Sequence, residues 1–231
     1  CFQRNQVLNC LKEDDLVLFI DDDFLMKETY LQELEDLFNS HSDVAMATGE
    51  VLADGISGPG FTHDQGVDYL KKDNAPLKSE ELETVYNCYG CNMACRAAPV
   101  VQNNLRFDEV LPLYSWLEDV DFSRQVSRYG RIVKSNRLRG VHLGSKRGRT
   151  PGVPLGYSQI ANPIYLIRKG TMKRSRAWRL MLRNITANLV KSLRAEPWVD
   201  RKGRLKGNML GFIDLLRGKI SPGKILELLG K

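Results

Sequence analysis

The sequence predicts an α/β fold, a sheet flanked by helices, followed by a strongly basic α-helical extension. Three observations carry the prediction. Leu16-Val17-Leu18-Phe19-Ile20 is an apolar run of strand length whose Val17 and Ile20 are β-branched, and it stops abruptly at Asp21-Asp22-Asp23. Tyr30, Leu31, Leu34, Leu37 and Phe38 then recur at helical spacing, with Glu33, Glu35 and Asp36 on the other face. Charge also divides along the chain: residues 1–167 hold 17 Lys/Arg against 24 Asp/Glu, a balance of −7, whereas residues 168–231 hold 17 against 4, a balance of +13. The expected division is an α/β body over 1–157 and a basic amphipathic helical extension over 158–231.

Taken in order, Val7-Leu8-Asn9-Cys10-Leu11 ends a short helix that feeds the first strand. A continuous apolar run reads as a strand covered on both faces, so residues 16–20 are expected at the centre of the sheet. The helix, read as Lys27 to Phe38, packs on that sheet. Residues 44–52 read as a second strand, in which Gly49 permits a bulge or a close backbone approach. From 53 to 83, Gly55, Gly58, Pro59 and Gly60 among Asp and Lys signal a long loop. Order returns at Thr84-Val85-Tyr86. Ser115 or a neighbour is expected to cap a helix reaching about Arg128, with Gly130 at its C′ position. Strands follow at 131–133 and 138–143.

With 231 residues the chain can bury a substantial core and suits one domain with an appendage. No apolar run approaches about 18 residues, so no transmembrane helix is expected. No basic segment followed by an apolar one marks a signal peptide. Residue 1 is Cys rather than Met, as expected of a fragment or a processed chain. The five cysteines are Cys1, Cys10, Cys88, Cys91 and Cys95; an odd number argues against a secreted disulfide framework, and the expected location is cytoplasmic.

Three carboxylates at a strand's carboxyl end occupy the place where open α/β sheets collect ligands. Alternation along a strand sends Asp21 and Asp23 to one side and Asp22 to the other. Two carboxylates on one side suit Mg²⁺ or Mn²⁺, which leave further positions to water and substrate phosphates. The competing reading is an acidic turn in which Asp22 or Asp23 caps the next helix. Cys88, Cys91 and Cys95 have metal-like spacing, but no fourth Cys or His lies within motif distance, so buried free thiols are expected. Gly90 with Asn92 close behind lets backbone approach a ligand. Glu118 and Asp119 open a helix, where the helix dipole alone also favours carboxylates. His142 ends a strand before a Gly- and Arg-rich loop over 144–156; a single His is usually a surface or satisfied core residue.

In order and spacing, several segments together resemble the family 2 glycosyltransferases of GT-A fold, a Rossmann-like mixed sheet flanked by helices. They are Asp21-Asp22-Asp23, Gly90-Cys91-Asn92-Met93-Ala94-Cys95-Arg96, Phe107-Asp108-Glu109, Trp116-Leu117-Glu118-Asp119-Val120-Asp121-Phe122 and His142-Leu143-Gly144. The resemblance covers about residues 1–157. It implies an inverting, metal-dependent transfer of a sugar from a nucleotide-diphosphate donor to a saccharide or lipid-linked acceptor, as in polysaccharide synthesis. Asp21 and Asp23 would hold Mn²⁺ or Mg²⁺ against the donor diphosphate, Asp23 being the direct ligand and His142 a further one. Asp119 would be the general base on the acceptor hydroxyl, with Glu118 and Asp121 the second choices, Asp121 alternatively contacting acceptor or scaffold. Asp22, Gly90, Asn92, Arg96 and Asp121 would line the donor and acceptor region, and Arg147 and Arg149 would reach the diphosphate. Family members begin with a further strand and an acidic nucleobase-binding residue that have no counterpart before Arg4. At about 30 residues per strand–helix unit, roughly 90 residues of the nucleoside-binding half are expected to be absent.

In the extension, residues 160–167 and then Trp178, Leu180, Met181, Leu182, Ile185, Leu189, Val190 and Leu193 among Arg and Lys read as amphipathic helices. Such helices lie on anionic membrane surfaces, here the inner face of the cell membrane, or equally turn a basic face to solvent while packing on the body. Segments 200–204 and 216–219 read as turns able to grip phosphate. Nucleic acid is not an expected partner, because the body is acidic and no recognised binding motif occurs. The alternatives to an enzyme are a non-catalytic scaffold of GT-A descent and a basic-tail binding module.

Overall fold

The computed structural model describes residues 1–73, 79–145, 151–194 and 196–229. In chain order the elements are α1 (Phe2–Leu8), β1 (Leu16–Ile20), β2 (Phe24–Met26), α2 (Tyr30–Ser40), β3 (Val44–Asp54), α3 (His63–Lys72), β4 (Leu82–Thr84) and β5 (Asn92–Arg96). They continue with α4 (Ala97–Gln102), α5 (Glu118–Val126), β6 (Arg131–His142), α6 (Gly152–Lys169), α7 (Arg174–Lys191), α8 (Arg201–Leu216) and α9 (Lys224–Leu228). Two compact units result, one of Gln3–Arg106 and Phe122–Arg147, the other of Cys1–Phe2, Phe107–Asp121 and Gly148–Lys231.

The first unit bears out the predicted α/β class, a mixed sheet flanked by helices. Among the described residues the strand order is β1-β5-β3-β6-β2, with β4 also on β6. β1 is antiparallel to β5, β5 is antiparallel to β3, and β3 is parallel to β6. The carboxyl ends of β1, β3 and β6 therefore share one edge, the edge at which open sheets bind ligands. α2 covers the sheet through Tyr30, Leu34, Leu37 and Phe38, which pack with Phe24, Val44, Ala94, Val133 and Leu138. Burial of each large apolar side chain contributes about 1.5–3 kcal/mol, so this helical face is a principal clamp on the sheet.

Several expectations are corrected. β1 is not central: among the described residues it pairs with β5 alone, and its burial alternates, Val17 and Phe19 being covered and Leu16 and Ile20 exposed. Apolar composition reports side-chain cover, whereas strand order is decided by backbone pairing. The region over 53–83 is not one loop but holds the end of β3, a 3₁₀ turn (Gly55–Ser57), α3 and β4. α3 starts with a capping box, Thr62 Oγ1 accepting from Gln65 N–H and Gln65 Oε1 accepting from Thr62 N–H. The strands expected at 131–133 and 138–143 form the single β6, with a register shift against β3 between Gly49 and Glu50. Ser115 does not cap α5; its hydroxyl donates to the carbonyls of Leu111 and Leu113. α5 ends at Val126, and Gly130 instead lies close against Asp43 and Ala45.

The second unit is helical, with a core of Tyr157, Ile160, Ala161, Ile164, Met181, Ile220 and Ile225. α6 and α8 approach closely because Gly156 and Gly207 lack side chains: a Cβ would fall 2.0 Å from Arg204 O and 2.1 Å from Val153 O respectively. Asn188 donates to Gln159 and Asn208, and Asn208 donates to Gly156 O, which ties α6, α7 and α8 together. Segment 200–204 is a helix start rather than a phosphate-gripping turn, since Asp200 accepts from Gly203 N–H as its N-cap. The boundary expected at 157/158 falls inside α6. No described helix is long and apolar enough to cross a membrane.

Candidate functional site

The site is assembled at the shared strand edge of the first unit. Leaving β1, the chain makes a turn in which Phe24 N–H donates to Asp21 O at 3.0 Å. This turn, rather than strand alternation, brings Asp21 and Asp23 to one side and leaves Asp22 exposed. β2 then pairs antiparallel with β6, setting Phe24 opposite His142, and Leu143 N–H donates to Asp23 O at 2.9 Å. Asp21, Asp23 and His142 thereby converge, each offering one ligand atom within 4.8 Å of the others. His142 Nε2 lies 3.4 Å from Asp23 Oδ1, and Ser145 N–H donates to Asp23 Oδ2 at 2.7 Å. Arg4 donates to Asp21 Oδ1 and to Gly90 O, both at 3.1 Å.

The parallel pairing of β3 with β6 places Asp54 opposite His142. Asp54 Oδ1 is 2.8 Å from His142 Nδ1, and Tyr89 OH donates to Asp54 Oδ2 at 3.0 Å. A carboxylate on Nδ1 leaves Nε2 as the nitrogen facing the carboxylates, the arrangement that metal-ligating imidazoles use. Burial disfavours the His142 imidazolium, but the hydrogen bond and charge of Asp54, with Asp23 and Asp21, outweigh it and raise the His142 pKa. Burial pushes Asp54 up, and the hydrogen bonds of His142, Ile56 N–H and Tyr89 bring it below its ordinary value. Asp21 is raised, chiefly by burial and further by Asp23, with Arg4 opposing. Crowded carboxylates beside an imidazole form a donor set that fits a hard or borderline divalent cation such as Mn²⁺ or Mg²⁺.

Other predicted residues are placed elsewhere. Asn92 is fully buried, and its Oδ1 accepts from Thr48 Oγ1 and Gly49 N–H, both at 2.6 Å. Arg96 donates to the carbonyls of Val44, Phe38 and His41, holding the end of α2. Both side chains brace the sheet through these bonds. Asp121 is fully buried in the helical unit, accepting from Lys169 Nζ at 2.7 Å and Thr171 Oγ1 at 2.6 Å, so it too is a structural tie. Arg147 and Arg149 lie outside the described residues. Cys88, Cys91 and Cys95 are buried thiols, and burial pushes Cys95 up to about 12, far from the thiolate that ligates metals.

Glu118 and Asp119 open α5, both partly exposed. The segment before them holds Leu113, Ser115 and Leu117 at φ of 56°, 51° and 76°. Left-handed non-glycine residues cost on the order of 1–2 kcal/mol each and gather at functional sites. Sequence reasoning passed over Asp54, Tyr89 and Arg4. Asp54 did carry a signal, a carboxylate closing an apolar strand as Asp21 does.

No protein-family model matches the sequence, and no curated protein does. Among solved structures, the chain is similar to the crystal structure of S. aureus TarS 1-349 in complex with UDP-GlcNAc, at 14% identity and a TM-score of 0.49. The match covers 91% of this chain, which spans 60% of that one.

Proposed function

We propose that the chain acts in inverting, divalent-cation-dependent glycosyl transfer. It moves a sugar from a nucleotide-diphosphate donor to a hydroxyl of a saccharide or lipid-linked acceptor. The observation that carries this reading is the convergence of Asp21, Asp23 and His142 at strand ends, with Asp54 on the far imidazole nitrogen.

Asp23 and His142, with Asp21 beside them, would hold Mn²⁺ or Mg²⁺; the cation, when bound, offsets the negative charge that gathers on the departing diphosphate. The chain's own groups prepare that site. Asp54 holds the imidazole with Nε2 forward, and Ser145 N–H fixes the Asp23 carboxylate. Asp119 is the proposed general base, with Glu118 the second choice. A sugar hydroxyl is a poor nucleophile at neutral pH, so a carboxylate accepts its proton as oxygen bonds to the anomeric carbon and the diphosphate leaves from the opposite face. The strained segment before Asp119 supports a fixed role for the first turn of α5.

Calorimetric titration with nucleotide sugars, UDP-GlcNAc first, with and without Mn²⁺, tests the reading. Donor binding that needs Mn²⁺ and is lost in Asp23→Ala is expected; binding indifferent to both contradicts it. Asp119→Asn is expected to slow transfer by about 10²–10⁴-fold without weakening donor binding.

A further inference from the structure

We propose that one face of α7 docks on an anionic lipid surface. α7 turns Ala177, Met181 and Asn188 into the helical unit. On its outer side Trp178, Leu182 and Leu189 are 44%, 59% and 56% exposed, and Leu193, just beyond the helix, is 86% exposed. At 3.6 residues per turn these four positions fall within an arc of about 60°, so they form one apolar stripe rather than scattered surface residues. Arg174, Arg176, Arg179 and Arg183 are exposed on the same helix, and between Lys173 and Arg194 there are seven cations and no carboxylate.

Charge complementarity selects the occupant. An aromatic and aliphatic stripe rimmed by arginines is the pattern of a helix lying in the plane of a bilayer surface, its apolar side chains among the acyl chains and its guanidinium groups on lipid phosphates. Arginine stems also cover apolar surface while their heads reach the headgroups. A polyanion such as RNA would engage the arginines and leave the leucines with no partner. The proposal is independent of the glycosyltransferase reading, since it uses no residue of the candidate metal site.

The test is co-sedimentation of the 231-residue chain with vesicles of phosphatidylcholine alone and of phosphatidylcholine mixed with phosphatidylglycerol. Binding to the mixed vesicles only is expected, with quenching of tryptophan fluorescence by brominated lipid. Two variants at exposed positions, Leu182→Ser/Leu189→Ser and Arg179→Glu/Arg183→Glu, should each weaken binding at least about tenfold while leaving the far-ultraviolet circular dichroism unchanged. The proposal is overturned by no binding to anionic vesicles, or by binding that the leucine substitutions leave intact. It is equally overturned if RNA abolishes the interaction and the arginine pair alone matters, or if the chain is a dimer without lipid that the leucine substitutions break.

Discussion

Asp54 and His142 stand opposite each other on parallel strands, their side chains joined at 2.8 Å between Oδ1 and Nδ1. The pairing register makes the contact, so the imidazole's orientation is built into the sheet rather than left to a loop. Asp54 is thus a positioning residue for His142. Asp54→Ala should lower Mn²⁺ affinity by about 10–100-fold, as loss of carboxylates behind ligating imidazoles does, with Tyr89→Phe having a smaller effect in the same direction. Isothermal titration with Mn²⁺ checks this, and an unchanged affinity in Asp54→Ala would remove Asp54 from the site.

Asp121 is buried with Lys169 and Thr171, so its substitution should cost stability and leave ligand binding alone. Asp121→Ala is expected to lose about 2 kcal/mol, less than the 3–5 kcal/mol of a wholly buried pair because Lys169 is partly exposed and keeps Asp108. Urea unfolding measures the loss. A weakened donor affinity with unaltered stability would return Asp121 to the ligand-binding residues.

Asp108 supplies a pH dependence. Burial raises its pKa, but hydrogen bonds from Lys169 and Tyr165 outweigh this and hold it below the ordinary carboxylate value of 3.8. Because the folded-state value is the lower one, the stabilisation is fully present above the unfolded value and is lost as pH falls through the folded value. Asp108→Asn should therefore be less stable than the parent at neutral pH, and the difference should shrink on acidification below the unfolded value. Urea midpoints at a series of pH values decide it; a difference that grows in acid would contradict the assignment.

How much of this was legible in the sequence depended on which physics wrote each feature. The apolar stripe of α2 is a large burial signal at helical period, and it appears where the pattern placed it except at Leu31, which is exposed. α3 buries only Gly66, so periodicity could not reveal it; its signal was the Thr62-x-x-Gln65 capping box. The edge position of β1 is a matter of backbone pairing and leaves no mark on composition. Asn92 and Asp121 are polar residues within segments that resemble a catalytic motif, and only burial shows that their hydrogen bonds are used internally. Asp54 closes an apolar strand as Asp21 does, but its partner is named by its register against His142, a relation between residues 88 apart.

Gly49 was legible as a close approach, and the structure names the neighbour. A Cβ at Gly49 would lie 2.2 Å from Leu138 O, which is backbone of the paired strand and cannot swing away. Gly49→Ala should cost about 1–3 kcal/mol, read from urea unfolding. A neutral substitution would mean that β3 and β6 are free to separate at their register shift.

The central claim is that Asp21, Asp23 and His142 hold a divalent cation. The most direct test is electron paramagnetic resonance of Mn²⁺ titrated into the chain, where bound ion leaves the free-ion signal. The account predicts saturable uptake that Asp23→Ala and His142→Ala each weaken by about tenfold or more, and that Asp36→Ala, on the exposed face of α2, leaves unchanged. No uptake, or uptake the same in all variants, would contradict it.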